Sequence, residues 1–234
     1  MSLAPAQISD LVALGAPILC LDTCTILDVV RDITRETIRL SDAKAGLDLL
    51  HAAESKVDLV VLMAEQIGIE LRVHLQEVQQ EAEDKLAKFH GQAQRIHDVA
   101  SVFGATGIMS ISHLHGHVGR ARLVLDRWTA VAMRVPDNPG VAGRALARVN
   151  APRTPARKGK DSIKDCVIVE AYLEAAQQLR AAGLSAPIVF ASSNTKEYYS
   201  PSTAHLPTDF AADIAAVSMS YAPNFGAAKF SLGL

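Results

Sequence analysis

Four acidic residues stand where a parallel sheet would collect functional groups. Asp22 closes a short apolar run, Glu70 lies in the first turns of the helical segment after a second run, and Glu197 follows a third run. Asp165 opens the helical segment before that third run, with Asp161 one turn earlier. Side chains at the carboxyl ends of parallel strands converge at one edge of the sheet. We therefore predict that these acids meet at one site.

An acidic cluster of this kind predicts a metal ion. Each acid alone is typical of a helix cap or of an exposed carboxylate. Carboxylates held together repel one another unless a cation lies between them. Because the cluster contains neither Cys nor His, its oxygen ligands suit Mg²⁺ or Mn²⁺. Such an ion lowers the pKa of an attacking water and neutralises charge on a phosphodiester, so metal-dependent phosphodiester hydrolysis is the favoured reaction.

One concentrated basic patch precedes Asp165. It lies in segment 136–160, which we interpret as a Pro/Gly-rich surface loop. Because the patch leads directly into the acids, its side chains are predicted to hold substrate phosphates, and a solvated linker is the alternative. The basic residues are Arg148, Arg153, Arg157, Lys158 and Lys160.

Short apolar runs that alternate with helical segments predict the frame that positions these residues. Strands are predicted over 17–22, 57–62 and 186–191. A helix is predicted over 162–182, ending before Gly183, and a last helix over 209–221. This alternation favours an α/β fold with a central parallel sheet.

Residues 72–135 form a long helical stretch between the second run and the basic segment. Apolar residues recur in it at helical spacings, and we interpret it as an inserted hairpin or bundle beside the sheet. Packing or dimerisation is the preferred purpose, and substrate gating is the alternative.

Composition restricts the class of protein. The 234 residues, 49% of them apolar and 21% charged, fit a single globular domain over 1–234 and exclude a disordered chain. A net charge of -2 excludes a protein that coats nucleic acid by overall charge, so any contact with a polyanion is local. Three cysteines without metal-type spacing, and no apolar run long enough to span a membrane, predict a soluble cytoplasmic protein.

The order of these segments resembles the PIN-domain family of nucleases. The matching segments are LDTCTILD, AEQIGIEL, SIKDCVIVEAYLE and IVFASSNTKEYY. The resemblance covers residues 17–71 and 160–200, and the chain is similar to larger bacterial PIN-like proteins with a helical insertion. It implies a Rossmann-like α/β/α sandwich and a Mg²⁺- or Mn²⁺-dependent endonuclease that cuts RNA, less often DNA.

The resemblance also implies roles for single residues. The four acids of the family fall on Asp22, Glu70, Asp165 and Glu197, which would be both catalytic residues and metal ligands. Asp161 matches an additional acid that some members have near the metal. Glu197 is a departure, since the family usually has Asp at this position.

The turn after the third apolar run and the neighbourhood of Glu70 complete the implied site. Ser193 and Asn194 fall in the turn that shapes the family's substrate site, so they are predicted to contact substrate. Glu65 is an alternative to Glu70, and Glu70 is preferred because Leu71 follows it as in the family's motif.

Other functions remain open at this level. A PIN-like fold could be retained as a catalytically weak binding or regulatory module that dimerises, or binds a partner, through the helical insertion. A phosphatase or a DNA-specific flap nuclease would use the same metals. His113, His115 and His117 do not predict a transition-metal site, because residues two apart on a helix point in different directions.

Overall fold

A computed structural model describes residues 3–157, 162–200 and 205–234. The strands are β1 (Ile18–Leu21), β2 (Val60–Ala64), β3 (Met133–Val135), β4 (Ile188–Ala191) and β5 (Met219–Ala222). They form one sheet in the order β3-β2-β1-β4-β5, and every neighbouring pair is parallel. Flanking helices cover the sheet. The predicted α/β fold with a central parallel sheet is confirmed at this level.

The helices connect and cover these strands. They are α1 (Pro5–Leu14), α2 (Thr23–Leu27), α3 (Leu40–Glu54), α4 (Glu65–Val102), α5 (His117–Val131), α6 (Pro139–Asn150), α7 (Ile163–Ala181), α8 (Thr195–Tyr198), α9 (Thr208–Ala216) and α10 (Phe225–Leu232). Among the residues that the structure describes, none of these helices combines the length and the apolarity needed to span a membrane.

The three predicted strands form the centre of the sheet. Every residue of β1 and of β4 is buried, as expected of strands whose two faces are both covered. β1 pairs with β2 on one side and with β4 on the other. The apolar runs were recognisable because a doubly covered strand must be apolar at every position.

Two short edge strands were missed. β3 lies at the end of the predicted insertion, and β5 lies within the segment predicted as the last helix. Arg134 in β3 and Ser220 in β5 are exposed, as edge positions allow. Strands of three or four residues with such polar positions carry too little periodicity to be distinguished from helix or loop.

Segment 136–160 contains a helix where a loop was expected. The side chain of Asn138 accepts a hydrogen bond from the backbone N–H of Val141 (3.1 Å), and Pro139 occupies the first helical position. Asn-Pro-Gly therefore begins α6 instead of forming an isolated turn, because Pro is well suited to the first turn of a helix. Lys158 and Lys160 lie outside the described residues.

Residues 72–135, predicted as a helical insertion, lie mainly in one long and one short helix. α4 is a single helix of 38 residues, and α5 has 15. Gln79 accepts a hydrogen bond from Arg122, and the ring of His90 lies beside that of His115, so the two helices run antiparallel. The predicted hairpin thus has arms of unequal length.

Candidate functional site

The candidate site lies where the direction of strand addition reverses. β1 is the first strand of the sheet in sequence, with β2 on one side and β4 on the other. In sheets of this kind, ligands bind in the crevice beyond the carboxyl ends of the two strands at the reversal. Asp22 follows β1 and Ser192 follows β4, so both residues stand at this crevice.

Asp22 is a buried carboxylate that caps helix α2. It is 3% exposed. Its Oδ1 accepts a hydrogen bond from the backbone N–H of Thr23 (2.7 Å), and its Oδ2 accepts from Ser192 Oγ (2.5 Å) and Cys24 Sγ (3.0 Å). The capping interaction fixes the carboxylate at the end of β1, because helix α2 begins directly after it.

The electrostatic surroundings of Asp22 disfavour its charge. Burial raises the pKa of the Asp22 carboxyl above its ordinary value, the hydrogen bonds from Ser192, Cys24 and Thr23 lower it, and the negative charge of Glu70 raises it further. The pKa of Asp22 is raised overall. A cation placed against this carboxylate would relieve both the burial and the repulsion.

Glu70 reaches the same turn from helix α4. Its Oε2 accepts a hydrogen bond from Thr23 Oγ1 (2.5 Å), and its Oε1 accepts from Gln66 Nε2 (3.2 Å). Thr23 therefore joins the two acids, since its N–H binds Asp22 and its hydroxyl binds Glu70. Glu65 points elsewhere: its carboxylate accepts from the N–H of Asp137 (3.0 Å).

Asp165 lies in the first turn of α7. It is half-buried. Burial raises the pKa of the Tyr198 phenol well above its ordinary value, and the charges of Asp22 and Asp165 raise it further. The phenol of Tyr198 thus lies within the influence of both carboxylates, Asp22 and Asp165. Asp161, one turn earlier, lies outside the described residues.

Glu197 has a partner of its own. The residue is 4% exposed in the short helix α8. Its carboxylate forms an ion pair with Arg157 (3.2 Å) and lines a cavity with Thr154 and Thr208. Glu197 and Arg157, predicted as ligand and phosphate contact, thus face each other.

The turn after β4 is held by hydroxyl groups. The N–H of Ser193 donates to Thr25 Oγ1 (2.9 Å), and the N–H of Asn194 donates to Ser192 Oγ (3.3 Å). Thr25 Oγ1 in turn donates to the carbonyl of Ala191 (3.1 Å). These bonds place Ser193 and Asn194 beside the Asp22 turn. Their contact with substrate stays a prediction.

The described arginines of the basic patch are engaged within the protein. Arg148 is 3% exposed and pairs with Glu170 and Asp213. Arg153 also pairs with Asp213, at 2.5 Å. These arginines hold α6, α7 and α9 together, so much of the positive charge in this segment has a structural role.

The residues present fit a magnesium ion held by few protein ligands. Within 3–157, 162–200 and 205–234, no group of three or more His, Cys, Asp or Glu side chains is arranged to hold a metal. Mg²⁺ is, however, commonly bound by one or two carboxylates, with waters and substrate phosphates completing its shell. Asp22 and Glu70, joined through Thr23, supply two such carboxylates.

Tyr172 sets the shape of the crevice beside Asp22. Pairing between β1 and β2 ends at Cys20 and Leu62. Beyond this point the Tyr172 hydroxyl accepts a hydrogen bond from the N–H of Ala64 (3.0 Å) and donates to the carbonyl of Leu21 (2.5 Å). The hydroxyl thus satisfies the ends of both strands where they stop pairing, directly before Asp22.

Substituting Tyr172→Phe is expected to lower the free energy of unfolding by about 1–3 kcal/mol, because the buried N–H of Ala64 loses its partner. Urea denaturation measures the change. Tyr198→Phe is the matched control, since within the described part of the chain the buried Tyr198 hydroxyl has no hydrogen-bond partner. The free energy of unfolding of Tyr198→Phe should be close to that of the wild type. Equal losses in the two variants would contradict the assignment to Tyr172.

Sequence reasoning missed Thr23, Ser192 and Tyr172 as parts of the site. Thr23 and Ser192 each lie next to a predicted strand end, which is the signal that could have found them. Tyr172 gives no such signal, because it lies in the middle of a helix whose inward face is not readable before the sheet is placed.

Comparison with models of protein families, with curated proteins and with solved structures finds no match to this chain. Any inference about function therefore rests on the chemistry of the Asp22 crevice and on the resemblance of single motifs.

Proposed function

We propose that this protein is a metal-dependent endonuclease that hydrolyses phosphodiester bonds, with RNA as the preferred substrate and Mg²⁺ or Mn²⁺ as the cofactor. The observation that carries the proposal is the meeting of Asp22 and Glu70 at the sheet reversal. A buried carboxylate with a raised pKa, beside a second carboxylate, is typical of a functional site.

The chain's own residues would divide the work as follows. Asp22 and Glu70 would hold the ion, with Asp165 and Asp161 as the further acids implied by the resemblance. Thr23 donates a hydrogen bond to each of the carboxylates of Asp22 and Glu70 and so holds them near each other. When bound, the ion would supply positive charge for the developing charge on the phosphate and would activate an attacking water.

Substrate would enter over the turn after β4. Ser193 and Asn194 lie at the rim of the crevice and offer polar groups to a phosphate or a base. Arg157 is more than a third exposed, so its guanidinium can exchange its ion pair with Glu197 for a contact with a phosphate. Arg148 and Arg153, in contrast, serve the fold.

One observation favours a second candidate, a catalytically weak PIN-like binding or regulatory module. The Glu197 carboxylate, the fourth acid of the resemblance, is paired with Arg157. If this pair is permanent, the site retains fewer free acids than the nucleases it resembles, and the chain would act by binding.

Calorimetric titration with Mn²⁺ separates the two candidates. The nuclease proposal expects the wild-type protein to bind Mn²⁺, and expects Asp165→Asn to weaken that binding about 10-fold or more through loss of an acid near the ion. Asp58→Asn is the matched control. Asp58 is an exposed acid that precedes β2, at the amino ends of the strands and away from Asp22, so this variant should bind Mn²⁺ as the wild type does.

The same proteins are then incubated with labelled single-stranded RNA and Mn²⁺. Binding of Mn²⁺ together with cleavage inside the RNA supports the nuclease. Absence of Mn²⁺ binding to the wild-type protein would contradict it and leave the binding module. Cleavage of DNA but not RNA would retain the chemistry and correct the substrate.

A further inference from the structure

The long helix α4 extends well beyond its partner. Its 38 residues span about 57 Å, whereas the 15 residues of α5 span about 22 Å. The last ring contact between α4 and the returning chain joins His90 to His115 (5.1 Å between centroids). Beyond His90, α4 therefore runs past the start of α5, and segment 104–116 connects its end back to α5. We name residues 86–103, the last turns of α4 and its C-cap residue Phe103, the arm.

The arm carries an apolar stripe along one face. Its members recur at alternating spacings of three and four residues, which is the heptad pattern of a helix that packs against another helix. They are Leu86, Phe89, Ala93, Ile96, Ala100 and Phe103. The stripe continues the face of α4 that buries Leu71 and Ala82 nearer the sheet.

Along the arm this face becomes exposed at its large side chains, while Ala93 and Ala100 are half-buried. Leu86 is still buried, but Phe89 is 40% exposed, Ile96 66% and Phe103 86%. Val99, which flanks the stripe, is 53% exposed. Large apolar side chains at this spacing are normally covered by another helix.

We infer that the arm is the interface of a homodimer, in which two copies of this chain pack their arms antiparallel. This inference does not depend on the proposed activity. It is carried by the self-complementary order of side-chain sizes along the stripe.

Between Phe89 and Ala100, an antiparallel pair matches large side chains with small ones, whereas the outermost layer places Leu86, already buried within its own chain, beside the partner's Phe103. With the two-fold axis between Ala93 and Ile96, Phe89 faces Ala100 of the partner subunit and Ala93 faces the partner's Ile96. In a parallel pair, Phe89 would meet the partner's Phe89 and Ala93 the partner's Ala93, so layers would be alternately overfilled and empty. Well-packed interfaces avoid both defects. The antiparallel arrangement also places the sheets of the two copies at opposite ends of the paired arms.

The area available is sufficient for a specific dimer. If a fully exposed aromatic side chain offers about 200 Å² and the others scale with their size, the stripe and Val99 expose roughly 500 Å² of apolar surface per copy. This is about the 500 Å² per partner, or 1,000 Å² in total, that a specific interface needs, and the neighbouring side chains of Gln92 and His97 add to it.

Sedimentation and light scattering of the full chain test the inference. The wild-type protein is expected at twice the 25.0 kDa of one chain. Ile96→Glu is expected to give the monomer, because it places a carboxylate in the centre of the interface. Leu123→Glu is the matched control, since Leu123 on α5 is 65% exposed, almost the same as Ile96, and should leave the dimer intact.

Disulfide trapping tests the orientation. A chain with Ala93→Cys is mixed with a chain with Ile96→Cys under mild oxidation, and a covalent mixed dimer is expected because the two positions face each other across the axis. Ala93→Cys alone should cross-link poorly. A wild-type protein that stays monomeric at its highest soluble concentration, or a dimer that persists in Ile96→Glu, overturns the inference. Efficient self-linking of Ala93→Cys overturns the antiparallel arrangement.

Discussion

Replacing Asp22 by asparagine is expected to lower the rate of RNA cleavage by at least about 100-fold. A metal ion that stabilises a phosphoryl transition state contributes several kcal/mol, and each 1.4 kcal/mol corresponds to a factor of about ten in rate. Asparagine keeps the size of the side chain but removes the charge that would hold the ion. The rate of cleavage of labelled RNA at saturating Mn²⁺ measures the effect.

Asp58→Asn makes the same chemical change at the amino ends of the strands, away from Asp22, and should cleave RNA at the wild-type rate. If Asp22→Asn cleaves RNA as fast as Asp58→Asn, Asp22 does not hold the ion, and the site has been placed at the wrong carboxylate. A loss of cleavage in both variants would indicate a general effect on the fold.

The stability of Asp22→Asn should change in the opposite direction to its activity. The pKa of Asp22 is raised in the folded protein, so its stabilising contribution is fully present below its ordinary value of 3.8 and is lost as the pH rises through the raised pKa. At neutral pH the buried charge destabilises the wild type. Urea denaturation without metal is therefore expected to show that Asp22→Asn is the more stable protein, with the difference shrinking in acid.

Mn²⁺ should reverse this order. An ion that binds only the folded state raises the free energy of unfolding of the wild type and leaves Asp22→Asn unchanged. A wild-type protein that is more stable than Asp22→Asn without metal would contradict the account of Asp22 as a destabilising, functional charge.

Replacing Arg148 by methionine is expected to lower the free energy of unfolding by about 3–5 kcal/mol, the largest stability effect we predict. Arg148 is 3% exposed, and its guanidinium contacts Glu170 and Asp213 at 2.6–2.8 Å. It also donates to the carbonyl of Thr154. Burial lowers the pKa of Arg148, but hydrogen bonds with Asp213 and Glu170 raise it by more, so the residue stays charged. Its removal takes the buried cation from between Glu170 and Asp213 and leaves them with their more exposed partners, Arg144 and Arg153.

Arg153→Met is the matched control for this prediction. Arg153 pairs with the same Asp213, but its side chain is 47% exposed, so its loss should cost less than about 1 kcal/mol. The double variant Arg148→Met with Glu170→Leu should recover part of the stability, because a buried ion pair can be replaced by apolar groups. If Arg148→Met weakens RNA binding without loss of stability, Arg148 holds substrate as the sequence suggested, and the structural assignment is wrong.

The central strands and the position of Asp22 were predictable from the sequence, and the basic segment was not. β1 and β4 are recognisable because strands buried on both faces must be apolar throughout, and an acid directly after such a strand must lie at the edge of the sheet. In the basic segment, charge alone indicated exposure to solvent. The structure instead buries Arg148 between acids from two other helices, Glu170 and Asp213, whose partnership depends on how those helices dock.

The sequence by itself determined that the chain forms a parallel α/β sheet and that acids stand at its strand ends, since both features depend on local patterns of apolar and charged residues. Only the tertiary structure decided which acids meet. It joins Asp22 to Glu70 through Thr23, turns Glu65 toward Asp137 and pairs Glu197 with Arg157. The physical reason is that the direction of a side chain depends on the packing of its helix against distant parts of the chain, which spacing along the sequence does not specify.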